Sequence, residues 1–405
     1  VRQHADASGG MVAPHTVWLE LERLAELLPH GACTRRTRGL GAVVPHVDEL
    51  VFASDAAVAV ARSMGAGTDI IDAPDHVRAA VARADRDPMP LTLDGVVGER
   101  LGAVDRIAAT ELEAYARCPV QWLLRREAPI DDLDAERTGL DAGSYAHALL
   151  ELAVPSLLQR ASSGVSPEMV LDEVRQDARR AAHVDVAHAL QAHELARVEE
   201  QVLDVLRAEI APERVRPDRV WVEIELTSTP REPRDGEAAR PRPPWPTPGL
   251  EIDGVEIHGR VDRIDEFPDG LVLHDYKSGT KTLGPGKLVA EDHLQLGLYW
   301  LAIERAEGAP RPIAAPYRAL PKGAEAWGLR SAALKEYGLI PKGSRPPKDD
   351  VLRDVLDATE ARARELVTGI RGGELDLSHI DPEARSSPCG YCSLQAICRI
   401  EERRA

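Results

Sequence analysis

Aromatic residues are scarce in this sequence: they make up 4% of its 405 residues, and only two are phenylalanine. With 43% of the chain apolar nonetheless, aliphatic side chains and alanine must build the core, and a soluble globular protein is expected. Long apolar runs are absent as well. No stretch approaches the roughly 20 uncharged apolar residues that cross a bilayer, and the opening VRQHADASGG has no signal-peptide hydrophobic region. No membrane partner and a cytoplasmic location are therefore expected. Basic residues are outnumbered, 50 against 67 acidic, for a net charge of −17. That balance argues against indiscriminate binding of polyanions, so any nucleic acid must enter a local basic groove. Cysteines number five, an odd count, and paired disulfides are not expected in a reducing compartment. Four of them need another explanation.

Residues 1–105 mix amphipathic text such as TVWLELERLAELL with strand-like runs such as DELVFA, and contain no Walker-type phosphate loop. The basic run Thr34-Arg35-Arg36-Thr37-Arg38 reads as a solvated face, and no chemistry is assigned to this N-terminal region. Residues 106–405 read as one catalytic domain. A helix is expected from Thr110, where Thr110 and Glu113 have capping-box spacing, then others over Gly143–Leu158 and Pro167–Ile210. Alternation of Val220, Val222, Ile224 and Leu226 with Trp221, Glu223, Glu225 and Thr227 predicts a strand. The proline-rich TPREPRDGEAARPRPPWPTPG that follows marks an exposed insertion. Two strands, Val255–Ile264 and Leu271–Tyr276, are joined by a turn holding Pro268, Asp269 and Gly270. Helices over Asp292–Ala306 and Lys348–Ile370 complete the pattern, the latter closed by Gly372-Gly373.

The segment HGRVDRIDEFPDGLVLHDYKSGTK puts Asp262 on one strand and Asp275-Tyr276-Lys277 at the end of the next. Side chains alternate along a strand, so Asp275 and Lys277 share a face and the Tyr276 side chain points away. Carboxylate oxygens hold Mg²⁺ or Mn²⁺, and a nearby lysine positions water or offsets charge, which is what phosphodiester hydrolysis requires. Asp262 and Asp275 are the candidate ligands, Lys277 is the candidate catalytic cation, and Tyr276 is counted with the metal-site residues. An isolated D-x-K tripeptide would more often be a charged surface hairpin. The second aspartate, the apolar run Leu271-Val272-Leu273 and Gly279 lift this one above that reading.

Over about Ile107–Arg399 the text resembles the RecB-type branch of the PD-(D/E)xK nuclease superfamily, as found in AddB-like helicase–nuclease subunits. The resemblance implies an α/β restriction-endonuclease-like core, a mixed central sheet flanked by helices, with helical insertions and a cysteine-stapled C-terminal tail. It nominates His147, in GSYAHALLEL, as a further metal ligand, and Gln295 and Tyr299, in HLQLGLYWLAI, as catalytic-site residues one helical turn apart. Those two would contact the DNA backbone or orient Lys277. A glutamate-bearing strand precedes the paired aspartates in such proteins, which makes Glu225 a candidate to assist through a water.

Cys389, Cys392 and Cys398 form C-x2-C-x5-C, and Cys118 lies far upstream in EAYARCPVQWLLRR. Four thiolates suit a 4Fe–4S cluster or tetrahedral Zn²⁺, and spacing alone does not choose. The resemblance implies iron, in a structural role closing a loop of about 270 residues. Cys33 stands outside the pattern. The expected activity is metal-dependent cleavage of DNA from its ends in recombinational repair, alone or beside a helicase subunit that supplies the missing motor. The rival readings are an exonuclease of the CRISPR-adaptation type and a non-catalytic DNA-end-binding module stapled by metal.

Overall fold

A computed structural model describes residues 95–127, 138–184, 189–230, 241–279, 283–322, 325–340, 345–381 and, near the C-terminus, 384, 387–392, 394, 398 and 400. The chain divides into two units, Val1–Met89 and Pro90–Ala405, and every described residue belongs to the second. The basic run at 34–38 and Cys33 lie outside the described residues.

Elements in chain order are α1 (Gly95–Gly102), β1 (Arg106–Ala108), α2 (Ala109–Arg117), α3 (Pro119–Glu127), α4 (Thr138–Arg160), α5 (Pro167–Ala181) and α6 (Ala189–Glu209). There follow β2 (Arg219–Leu226), β3 (Leu250–Ile252), β4 (Val255–Phe267), β5 (Gly270–Lys277), α7 (Gln295–Glu304), β6 (Pro312–Ala319), β7 (Glu325–Leu329) and α8 (Asp349–Gly372). The strands make one mixed sheet in the order β1-β4-β5-β6-β7, with β2 and β3 also paired to β4. β4 runs parallel to β1, and β5 parallel to β6; the β2–β4 and β4–β5 pairs are antiparallel. This is the expected α/β architecture, a mixed sheet packed against helices.

Strand β5 is buried on both faces, which explains the near-continuous apolar run before Asp275. On one face Leu271 and Leu273 join a core built with α2, α7 and α8, including Leu112, Leu298 and Leu366. On the other, Tyr276 packs with α4, α5 and α6, whose Leu149, Leu157, Val170, Val202 and Leu206 are fully buried among one another. Aliphatic residues and alanine dominate both cores, as the composition requires.

Two helical expectations change. The span Pro167–Ile210 is not one helix, because α5 ends at Ala181 and α6 begins only at Ala189. The expected capping box of Thr110 with Glu113 does not form. The helix starts one residue earlier, and Glu111 reaches back to accept the Ala108 N–H at 3.1 Å. Glu113 is thereby released for another partner.

Candidate active site

The groove that holds the predicted chemistry has a volume of about 1090 Å³, and its walls come from α4, β1, β2, β4 and α7. His147 points into it from α4, Glu223 from β2 and Asp262 from β4. One ligand atom from each of these three lies within 4.8 Å of the others, the one such group among the described residues. His147 Nδ1 stands 3.4 Å from Asp262 Oδ1, while Asp262 Oδ2 accepts the Tyr276 N–H at 2.7 Å. The Tyr276 side chain packs on the opposite face, where Arg263 Nη1 donates to its hydroxyl at 3.2 Å. Only the tyrosine's backbone therefore meets the site.

Asp275 is fully buried beside the trio, and its Oδ2 is 2.6 Å from Lys277 Nζ. Lys277 also donates to Gln295 Oε1 at 3.0 Å, and Gln295 Nε2 donates to the Tyr299 hydroxyl at 3.3 Å. That hydroxyl in turn accepts the Arg260 N–H at 3.2 Å. The i,i+4 pair on α7 thus orients the lysine from one side and grips β4 from the other. Gly259 makes the approach possible: a Cβ there would lie 2.1 Å from the Tyr299 hydroxyl. At the head of α7, Glu113 Oε1 accepts the N–H groups of Leu294 and Gln295 at 2.8 and 2.9 Å.

Electrostatics are those of a candidate cation site. Burial, with Asp262 and Glu151 nearby, pushes the Glu223 carboxyl up to about 7. Burial and Asp262 do the same to Asp275, also to about 7, against the pull of Lys277. Burial would lower His147, but Asp262, Asp275 and Glu223 outweigh it and raise the imidazole to about 9. Crowded carboxylates that hold protons near neutrality are what an oxygen-rich divalent-metal site looks like without its cation. The donor set of one imidazole and two or three carboxylates fits Mg²⁺ or Mn²⁺.

Glu223, rather than Glu225, enters the trio. It adopts φ of 53° inside a strand, a left-handed conformation that costs a non-glycine residue on the order of 1–3 kcal/mol. The β2–β4 register brackets it, with Val222 opposite Arg263 and Ile224 opposite Val261. Arg260 Nε holds its carboxylate at 2.8 Å. Alternation alone gives Glu223 and Glu225 the same face, so the sequence carries no signal that separates them.

Cys118, Cys389, Cys392 and Cys398 form no disulfide and line one small pocket with Val120 and Leu394. Gln121 donates to two of the sulfurs, from its N–H to Cys118 at 3.4 Å and from Nε2 to Cys392 at 3.3 Å. Among the described residues no three cysteine sulfurs come within 4.8 Å of one another. A tetrahedral zinc needs thiolates about 3.8 Å apart, from Zn–S bonds of about 2.3 Å. The thiols are thus not drawn together as a mononuclear zinc site would draw them.

A mixed sheet carrying Asp262 within β4 and Asp275 and Lys277 at the end of β5, with a histidine from a flanking helix, forms a candidate metal site of the kind found in metal-dependent phosphodiesterases. Residues 106–399 match the model of the PD-(D/E)XK nuclease superfamily, and the chain belongs to that superfamily. It is also similar to the Gene 69 protein of Mycobacterium phage D29, 23% identical over 151 residues, which is 37% of this chain and 45% of the phage protein. The Gene 69 protein of Mycobacterium phage L5 is 22% identical over 165 residues, 40% of this chain and 47% of that protein. The match spans less than half the length of either curated relative. Neither comparison speaks to an iron–sulfur cluster or a helicase partner. Among the described residues no helix is long and apolar enough to cross a membrane.

Proposed function

We propose that this chain is a Mg²⁺- or Mn²⁺-dependent deoxyribonuclease that works from DNA ends in recombinational repair, alone or with a helicase subunit. The observation that carries the reading is the meeting of His147, Glu223 and Asp262 in an open groove, with the Asp275–Lys277 pair on the neighbouring strand. His147, Glu223, Asp262 and Asp275 would hold the cation. Bound there, a divalent ion supplies Lewis acidity and lowers the pKa of water. Lys277, held between Asp275 and Gln295, faces the charge that grows on the phosphoryl oxygens. Hydrolysis adds water across one P–O bond, leaving a phosphate on one fragment and a hydroxyl on the other.

Arg106, Arg260 and the hydroxyls of Thr110 and Thr227 line the same groove and offer contacts for the sugar–phosphate backbone, the two arginines being paired to Glu256 and Glu223. For the cysteine pocket we propose a 4Fe–4S cluster in a structural role. Four cysteines lining one cavity and N–H donors aimed at two of the sulfurs support that reading.

The test is cleavage of end-labelled linear duplex beside a covalently closed circle of the same sequence, with Mn²⁺ or Mg²⁺. Linear DNA should be degraded and the circle spared. Equal cutting of both would refute action at ends, and binding of ends without cleavage would favour a non-catalytic module.

A further inference from the structure

Lys277 is held by Gln295, and Gln295 is the first residue of α7. What fixes that first turn is not a local cap: the residue before it, Leu294, makes no side-chain cap bond. Two of the N–H groups at the turn, from Leu294 and Gln295, go to one oxygen of Glu113, at 2.8 and 2.9 Å, and a third, from Leu296, donates to the Tyr317 hydroxyl at 3.4 Å. Glu113 lies in α2, 181 and 182 residues away in sequence. Orphan N–H groups at a helix start carry partial positive charge, and a carboxylate in that position both satisfies and anchors them. Burial raises the Glu113 carboxyl, with the two donors and Lys277 pulling the other way.

We infer that Glu113 is a positioning residue: by gripping the head of α7 it sets the Gln295 side chain, and through it the direction in which Lys277 faces the phosphoryl group. This rests on the nuclease reading for its kinetic consequence, but not for its structural one. Glu113 does not line the groove, so it acts through Gln295 rather than on DNA. The same helix ends at Cys118, which caps α2. The pocket of thiols and the head of α7 are thus tied to one rigid element.

Two variants separate geometry from charge. Glu113→Gln keeps an oxygen at the same reach and removes the charge; Glu113→Asp keeps the charge and withdraws the oxygen by one methylene. Since a misplacement near 1 Å can cost on the order of 100-fold in rate, Glu113→Asp should lower kcat about 10- to 100-fold. KM for linear duplex should stay within about 2-fold, since no DNA contact is touched. Glu113→Gln should keep kcat within about 3-fold of the parent, and Glu113→Asp combined with Gln295→Ala should be no slower than Gln295→Ala alone. Amide hydrogen exchange at Leu294 and Gln295 should quicken in Glu113→Asp and stay slow in Glu113→Gln. A rise in KM at constant kcat, additive losses with Gln295→Ala, or a glutamine variant as slow as the aspartate would overturn the inference. If the parent protein cleaves no DNA, the nuclease reading fails alone, and unchanged exchange in Glu113→Asp is then the result that refutes the role of Glu113.

Discussion

At the scale of single residues, alternation along β4 and β5 makes Asp262, Asp275 and Lys277 legible, because a strand presents every second side chain to the same face. Glu223 is not legible in that way. Its selection over Glu225 depends on a left-handed backbone angle that nothing in EIEL encodes. Two outcomes follow for this residue and its neighbours. Glu223→Gly relieves the strained angle but removes a side chain from a strand; with strain on the order of 1–3 kcal/mol against a glycine cost of roughly 0.5–1 kcal/mol, the metal-free protein should gain about 1 kcal/mol in urea denaturation while DNA cleavage is lost. A less stable variant would show that the angle carries no strain. Metal affinity should also depend on pH. His147 holds its proton up to about 9, and Glu223 and Asp275 hold theirs up to about 7. A cation must displace those protons, so binding strengthens as pH rises, most steeply below 7. Between pH 6 and 8 the Kd for Mn²⁺ should fall by about 10-fold or more, measured by calorimetry; a flat profile would contradict the ligand set.

At the scale of elements, strand positions and most helices were readable from periodicity, whereas the buried ionic contacts that lock α6 to the sheet were not. Arg263 of β4 donates to both Asp265 oxygens at 2.6 and 2.8 Å, and to Glu209 of α6 at 2.8 Å. Arg214, Arg318 and His274 make further contacts to these carboxylates. In the sequence VDRIDEF nothing marks Arg263 and Asp265 as interior, yet they and His274 of β5 are all fully buried. Local pattern could not reveal the tie to α6, because Glu209 lies 54 residues upstream of Arg263. Removing one partner of a buried pair costs about 3–5 kcal/mol, so Arg263→Ala should lower unfolding free energy by that order in urea titration. A loss below about 1 kcal/mol would mean the cluster behaves as a surface pair. The cluster has a pH signature as well. Burial would raise Asp265, but Arg263 and His274 outweigh it and hold the carboxyl at about 2. Because that value lies below the unfolded one, near 3.9, its stabilisation is complete above about pH 5 and is lost as pH falls toward 2.

For the whole molecule, the cysteine spacing was legible as a four-ligand set joining residue 118 to the tail, but the occupant was not. Spacing suits a cluster and a single zinc alike, and only the occupant's size would separate them. Protein purified without oxygen should be brown and absorb broadly near 400 nm, and Cys118→Ala should lose colour and solubility together as the tail is released. A colourless protein with one zinc per chain would replace the cluster and keep the staple; a Cys118→Ala variant that stays folded with its metal would remove both. The measurement that bears most directly on the central claim is cleavage of labelled duplex DNA by wild-type protein, Asp275→Ala and Lys277→Ala, each verified as folded, with Mn²⁺ and with chelator. Divalent-dependent cleavage by the wild type, abolished by chelator and by either substitution, is the expected result; cleavage near the wild-type rate in either variant, or unaffected by chelator, would contradict the account.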